Sequence, residues 1–80
     1  MTQWEYAYLQ AKGFADYSGG GWPKQYLECT FCGVTGSSQP VRASSVISIL
    51  NELGKDGWEA FHIEAIQAGS IYWLKRPASP

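Results

Sequence analysis

The chain has 80 residues, of which 45% are hydrophobic and 16% charged, a balance that folds as a single globular domain and does not resemble a disordered tail. Its formal net charge of −1 argues against a protein devoted to gripping phosphate backbones, because such domains carry a clear basic excess. No apolar run approaches the ~20 residues that span a bilayer, so the expectation is a cytoplasmic protein with no membrane partner.

Residues 2–11 (TQWEYAYLQA) hold Trp, two Tyr and Leu without Gly or Pro, the composition of a strand. Residues 12–25 contain four glycines and a proline and read as a Gly-rich loop. Residues 26–32 (YLECTFC) alternate Leu27, Cys29 and Phe31 against Tyr26, Glu28 and Thr30, a second strand. Residues 33–40 form another loop. Over 44–53, Val46, Ile49, Leu50 and Leu53 recur at helical spacing, with Ser44 or Ser45 as N-cap and Gly54 as the left-handed residue that ends the helix. Residues 58–67 and 71–76 are a third and a fourth strand, joined by the short turn Ala68-Gly69-Ser70, and residues 78–80 are a frayed end. The order is β-β-α-β-β. It implies an α+β domain with a four-stranded, mainly antiparallel sheet and one helix on one face.

Geometry then poses a problem. One short helix covers one face of a sheet and leaves the other to solvent, a ligand or another chain. A sheet with one wet face alternates apolar with polar residues, yet the first strand sets Trp4, Tyr6 and Tyr8 against Glu5, Ala7 and Leu9. The fourth sets Ile71 and Trp73 against Tyr72 and Leu74. An aromatic patch built from Trp4, Tyr6, Tyr8, Tyr26 and Trp73 is therefore expected to stay outside and to serve as an oligomer or partner interface.

The chemistry-bearing residues are few. Cys29 and Cys32 form a CxxC, but on a strand residues three apart point to opposite faces, so they suit neither a redox couple nor half of a zinc site. His62 and Glu64 share a strand face without a nucleophile or third group nearby. No phosphate-cradling or nucleophile-elbow motif occurs, so no enzyme activity, catalytic residue, metal or cofactor is expected. The loop around Gly19-Gly20-Gly21 is more suggestive. Tyr17 and Trp22 flank it with planar rings, and Lys12, Lys24 and Arg76 would supply positive charge, a set suited to a small nucleotide-like ligand. The sequence thus implies a non-enzymatic, homo-oligomeric binding module that sequesters such a ligand. The alternative is a protein–protein inhibitor or adaptor that uses the aromatic face; single-stranded nucleic-acid binding comes third because of the net charge.

Trp4-Glu5-Tyr6, Leu50-Asn51-Glu52-Leu53-Gly54 with Gly57-Trp58-Glu59, and Leu74-Lys75-Arg76-Pro77 follow one another in an order that resembles a group of small bacterial and phage domains of unknown function. Members read WEY…LNxLGxxGWE…KRP. The resemblance spans nearly the whole chain and departs from it between Gly13 and Ser38. It implies a small α+β domain with no known activity, and its phage members admit an analogy with counter-defence proteins that soak up nucleotide signals.

Overall fold

A computed structural model describes residues 3–33 and 36–78. Thr2, at the head of the first expected strand, Val34 and Thr35 in the second expected loop, and Ser79 and Pro80 in the expected frayed end lie outside the described residues. The elements are β1 (Trp4–Asp16), β2 (Lys24–Gly33), β3 (Gly36–Ser37), β4 (Val41–Ala43), α1 (Val46–Lys55), β5 (Glu59–Ile66) and β6 (Gly69–Pro77). The class is α+β, and among the described residues no helix is long and apolar enough to cross a membrane.

The sheet has six strands, not the expected four. Its order is β3-β2-β1-β6-β5, with β4 also paired to β2, and every pair is antiparallel. Of the two extra strands, β3 comes from the stretch read as a loop and β4 from the unassigned residues between that loop and the helix, where two or three residues are too few to show any alternation. Chain neighbours β1 and β2 form one hairpin and β5 and β6 another, and β1 and β6 join them along the middle.

β1 also runs on to Asp16, five residues past its expected end. Lys12-Gly13-Phe14-Ala15 looks like the start of a loop because of its glycine, but its side chains keep the alternation of the strand. β6 accompanies β1 only as far as Lys12, opposite Gly69. From Phe14 to Asp16 the strand pairs only with residues 24–26 of β2, as a two-stranded arm ending in the turn at residues 17–23. The arm makes the molecule long, 56 × 21 × 20 Å, with a radius of gyration of 14.5 Å against about 12 Å for a compact chain of this length. A two-stranded ribbon is marginal in water. Here Phe14 and Tyr26 stack across it, and Arg42 of β4 lies over the Tyr26 ring at 3.9 Å and reaches Asp16 at 3.5 Å.

The core sits under the helix. Ala7, Leu9 and Ala11 of β1 point inward and are 5%, 1% and 5% exposed, joined by Cys29, Leu74 and Trp58. Val46, Ile49, Leu50 and Leu53 pack against that cluster, so the apolar stripe read from the sequence is the face that docks. Ser45 is the N-cap, its hydroxyl accepting from the Ile47 amide at 3.2 Å.

The C-terminus differs from expectation. The helix continues through Gly54 to Lys55, and the left-handed residue is Gly57, with φ +91°. The Trp58 amide donates to the Leu53 carbonyl at 3.1 Å and the Gly57 amide to that of Gly54 at 3.0 Å. That double closure is a Schellman motif, which brings the residue after the glycine back onto the last turn. Trp58 thereby folds over the helix end and is 9% exposed. The shift by three residues follows from Gly54 and Lys55 lying on the solvent side, where the stripe carries no signal.

The β5–β6 turn consists of Gln67 and Ala68, with Ala68 at φ 65°. Gly69 follows because β6 meets β1 there: a Cβ on Gly69 would collide with the Ala11 carbonyl oxygen and crowd the Lys12 Cα. Gly69→Ala is expected to abolish cooperative unfolding or lower its midpoint sharply. Leu9→Ala, which empties the centre of the core, should cost about 2–5 kcal/mol in urea titration followed by circular dichroism.

Candidate functional site

The inward residues of β1 fix what faces outward. Small side chains on both sides of Leu9 let the helix approach, so the other set on the strand, Trp4, Tyr6, Tyr8, Gln10, Lys12 and Phe14, lies on the face the helix does not cover. Register then extends that face across the sheet. Tyr8 lies between Cys32 and Trp73, Phe14 is opposite Tyr26, and Tyr6 is opposite Lys75. All five residues expected at an interface, Trp4, Tyr6, Tyr8, Tyr26 and Trp73, share this open face.

Ring contacts organise it into two clusters. Near the ends of β1 and β6, Tyr6 meets Phe61 edge-on with centroids 6.1 Å apart, and Tyr8 meets Trp73 at 5.3 Å. The Lys75 ammonium lies over Trp4 at 4.6 Å and near Phe61 at 5.8 Å. Towards the arm, Phe14, Tyr26 and Arg42 form the second cluster. A polar belt of Gln10, Lys12, Glu28 and Thr30 separates the two. Trp4, Tyr6, Phe14 and Phe61 keep 42%, 56%, 41% and 49% of their surface in solvent. The first cluster is also hollowed: a 260 Å³ cavity opens between Tyr6, Tyr8, Cys32, Gly33 and Trp73.

Phe61 escapes sequence reasoning. Strict alternation from Trp58 assigns it to the same face as Ile63, but a β-bulge between Ala60 and His62 inserts one residue and turns Phe61 towards Tyr6. Phe14 is missed because it falls within the presumed loop, and Lys75 and Arg42 because charged residues give no sign of the ring they will cover.

The residues proposed to hold a small ligand are dispersed. Tyr17 and Trp22 lie at the arm tip and are 74% and 93% exposed. Gly20 and Gly21 there have φ of 73° and 69°, so the glycine run makes a turn. Lys24 faces Asp16 across the ribbon, and the tip encloses 210 Å³ between Asp16, Ser18, Gly19, Gly20, Trp22 and Lys24. The Ser18 hydroxyl and amide donate to the Asp16 carboxylate at 2.6 and 2.9 Å and, with Arg42, hold it below its usual range. Lys12 stands on the sheet opposite Glu28. Arg76 is at the other end of the molecule and on the other face: it grips Glu5 at 3.1 and 3.4 Å, donates to the Asp56 carbonyl at 3.1 Å and covers the Trp58 ring at 4.3 Å. It clamps the helix exit to the sheet and does not join the arm.

The two cysteines are free thiols on opposite sides of the sheet. Burial pushes the Cys29 thiol up. On the open face the Ser37 hydroxyl, 3.3 Å from the Cys32 sulfur, and then the Tyr8 hydroxyl hold the Cys32 thiol below its ordinary value, and the contact raises the Tyr8 phenol in turn. His62 lies opposite Trp73, and one carboxylate oxygen of Glu64 accepts the Trp73 indole N–H at 3.1 Å. Among the described residues no group of three or more His, Cys, Asp or Glu side chains is placed to hold a metal ion. Compared with family profiles, curated proteins and solved structures, the chain matches none.

The thiols give a direct check of the two faces. Cys32 should react with iodoacetamide at a rate that half-saturates below the pH of an ordinary thiol, because a lowered pKa raises the thiolate fraction at every pH beneath it. Ser37→Ala should move that midpoint upward. Cys29 should react only when the protein unfolds.

Proposed function

We propose that the protein is a non-enzymatic binding module whose open aromatic face takes up another protein. One observation carries this reading: four large rings, Trp4, Tyr6, Phe14 and Phe61, stand 41–56% exposed on one side of a single sheet, with Tyr8 and Trp73 packed between them. Isolated exposed rings are ordinary, but clustered aromatics with cationic neighbours are the composition of binding hot spots. Their rings are already held by mutual contact and by Lys75 and Arg42, so little side-chain freedom is lost on binding.

Tyr6→Ala combined with Phe61→Ala removes the most exposed pair without touching the core. It should leave the melting temperature within a few degrees of the parent and weaken capture of a protein partner from cell extract by about thirtyfold or more, the scale of a hot-spot loss. Equal capture by parent and variant would overturn the reading.

The tip cavity favours a second reading, sequestration of a small nucleotide-like ligand by Tyr17, Trp22 and Lys24. Its support is the near-complete exposure of two rings beside a cation; Lys12 and Arg76 are not near enough to contribute, and the Asp16 carboxylate lining the cavity repels a phosphate. Under this reading, cyclic or linear nucleotides at a hundred times their Kd stabilise the fold by about 2.7 kcal/mol, which a thermal-shift series reads directly.

A further inference from the structure

Among the described residues β5 is the outermost strand on its side of the sheet, and no further strand pairs with its outer edge. Every residue from Glu59 to Ala65 is exposed, and only Ile66 is half-buried. Edge strands present a row of unpaired backbone groups, and natural proteins blunt them with lysine, proline or short length. The eight residues EAFHIEAI contain no lysine and no proline. Ile63, on the helix side of the sheet, is 60% exposed because the helix does not reach it.

The side chains indicate what fits against this edge. When a strand pairs antiparallel with a copy of itself about a two-fold axis, residues equally far from the axis on either side stand opposite each other on the same face. With the axis at Ile63, His62 of each copy meets Glu64 of the other, so an imidazole N–H faces a carboxylate acceptor twice on the open face, and the two Ile63 side chains meet on the helix side. The β-bulge is accommodated: each Ala65 then stands opposite the other copy's Ala60, both on the helix side, and each Ile66 opposite Glu59, with Phe61 skipped as it already is against β6. Neighbouring registers fail. An axis at His62 sets histidine against histidine and loses both histidine–glutamate pairs, and an axis at Glu64 sets carboxylate against carboxylate, where like charges directly opposite are destabilising.

We propose that two copies of this chain pair antiparallel along β5 about a two-fold axis at Ile63, joining two six-stranded sheets into one. Self-association is thereby placed at the edge of the sheet and leaves the aromatic face free, so this inference stands apart from whatever binds there. The dimer also lays the two Phe61–Tyr6 clusters beside each other on one continuous surface.

Sedimentation equilibrium on the full chain tests the pairing. The parent should be a dimer. His62→Glu should weaken it by about tenfold or more, since it sets carboxylate against carboxylate twice, and Glu64→Lys should do likewise because it removes the acceptor from both pairs. The double variant H62E/E64K, which makes two Glu–Lys pairs across the axis, should recover affinity to within about threefold of the parent. Both sites are exposed, and unchanged circular dichroism confirms that the variants fold. In a Cys32→Ser background, Ile63→Cys should give a covalent dimer under a mild thiol oxidant, because the axis sets that residue against itself, and Ala65→Cys should not. A parent that remains monomeric at high micromolar concentration overturns the proposal. So does a dimer indifferent to both charge variants, a double variant that fails to recover, or a cross-link at 65 and not at 63. Tyr6→Ala with Phe61→Ala should leave the dimer intact, so the fate of the open-face reading is measured separately.

Discussion

Everything in this molecule is arranged around the narrow seat that Ala7, Leu9 and Ala11 make for one ten-residue helix. Ile49, Leu50 and Leu53 pack against the buried cluster that these three residues form with Cys29, Trp58 and Leu74. Seating the helix there dictates that the bulky members of the same strand go to the opposite side, because adjacent residues on a strand cannot share a face. Covering one side and exposing aromatic rings on the other are therefore two results of one choice made along β1.

Arg76 and Trp58 complete the covered side. The Schellman turn delivers Trp58 onto the last helical turn, and the Arg76 guanidinium lies over the indole while holding Glu5 and a turn carbonyl. A half-buried arginine in a bidentate grip on a carboxylate is positioned far more firmly than a surface lysine would be. The helix is thus fastened at both ends, by Ser45 at its start and by this stack at its exit, although none of its residues is fully buried.

The sequence made the aromatic alternation of Trp4, Tyr6 and Tyr8 and the helical stripe legible, since each depends on local spacing. What it concealed depended on distant partners. The strand nature of residues 36–37 and 41–43 comes from pairing with β2, and segments that short have no periodicity of their own. The run through Gly13 and Phe14 is a strand because β2 accompanies it. Arg76 looked available for a ligand because nothing local reveals that Glu5, 71 positions away, stands directly beside it. Phe61 was misplaced by a bulge, the one irregularity that breaks parity without leaving a glycine or proline to mark it.

Gly69 has a bearing on all of this through its missing side chain. The backbones of β1 and β6 come together so tightly at that point that one hydrogen atom is all the space allows. Sliding β6 by a single position would bring Ala68 or Ser70 to the same spot, and the Cβ of either would be rejected by the Ala11 carbonyl. Since a slide of one would also exchange the two sides of the strand, the contact works as a key that admits one alignment, and with it decides that Trp73 emerges among the rings while Leu74 goes beneath the helix.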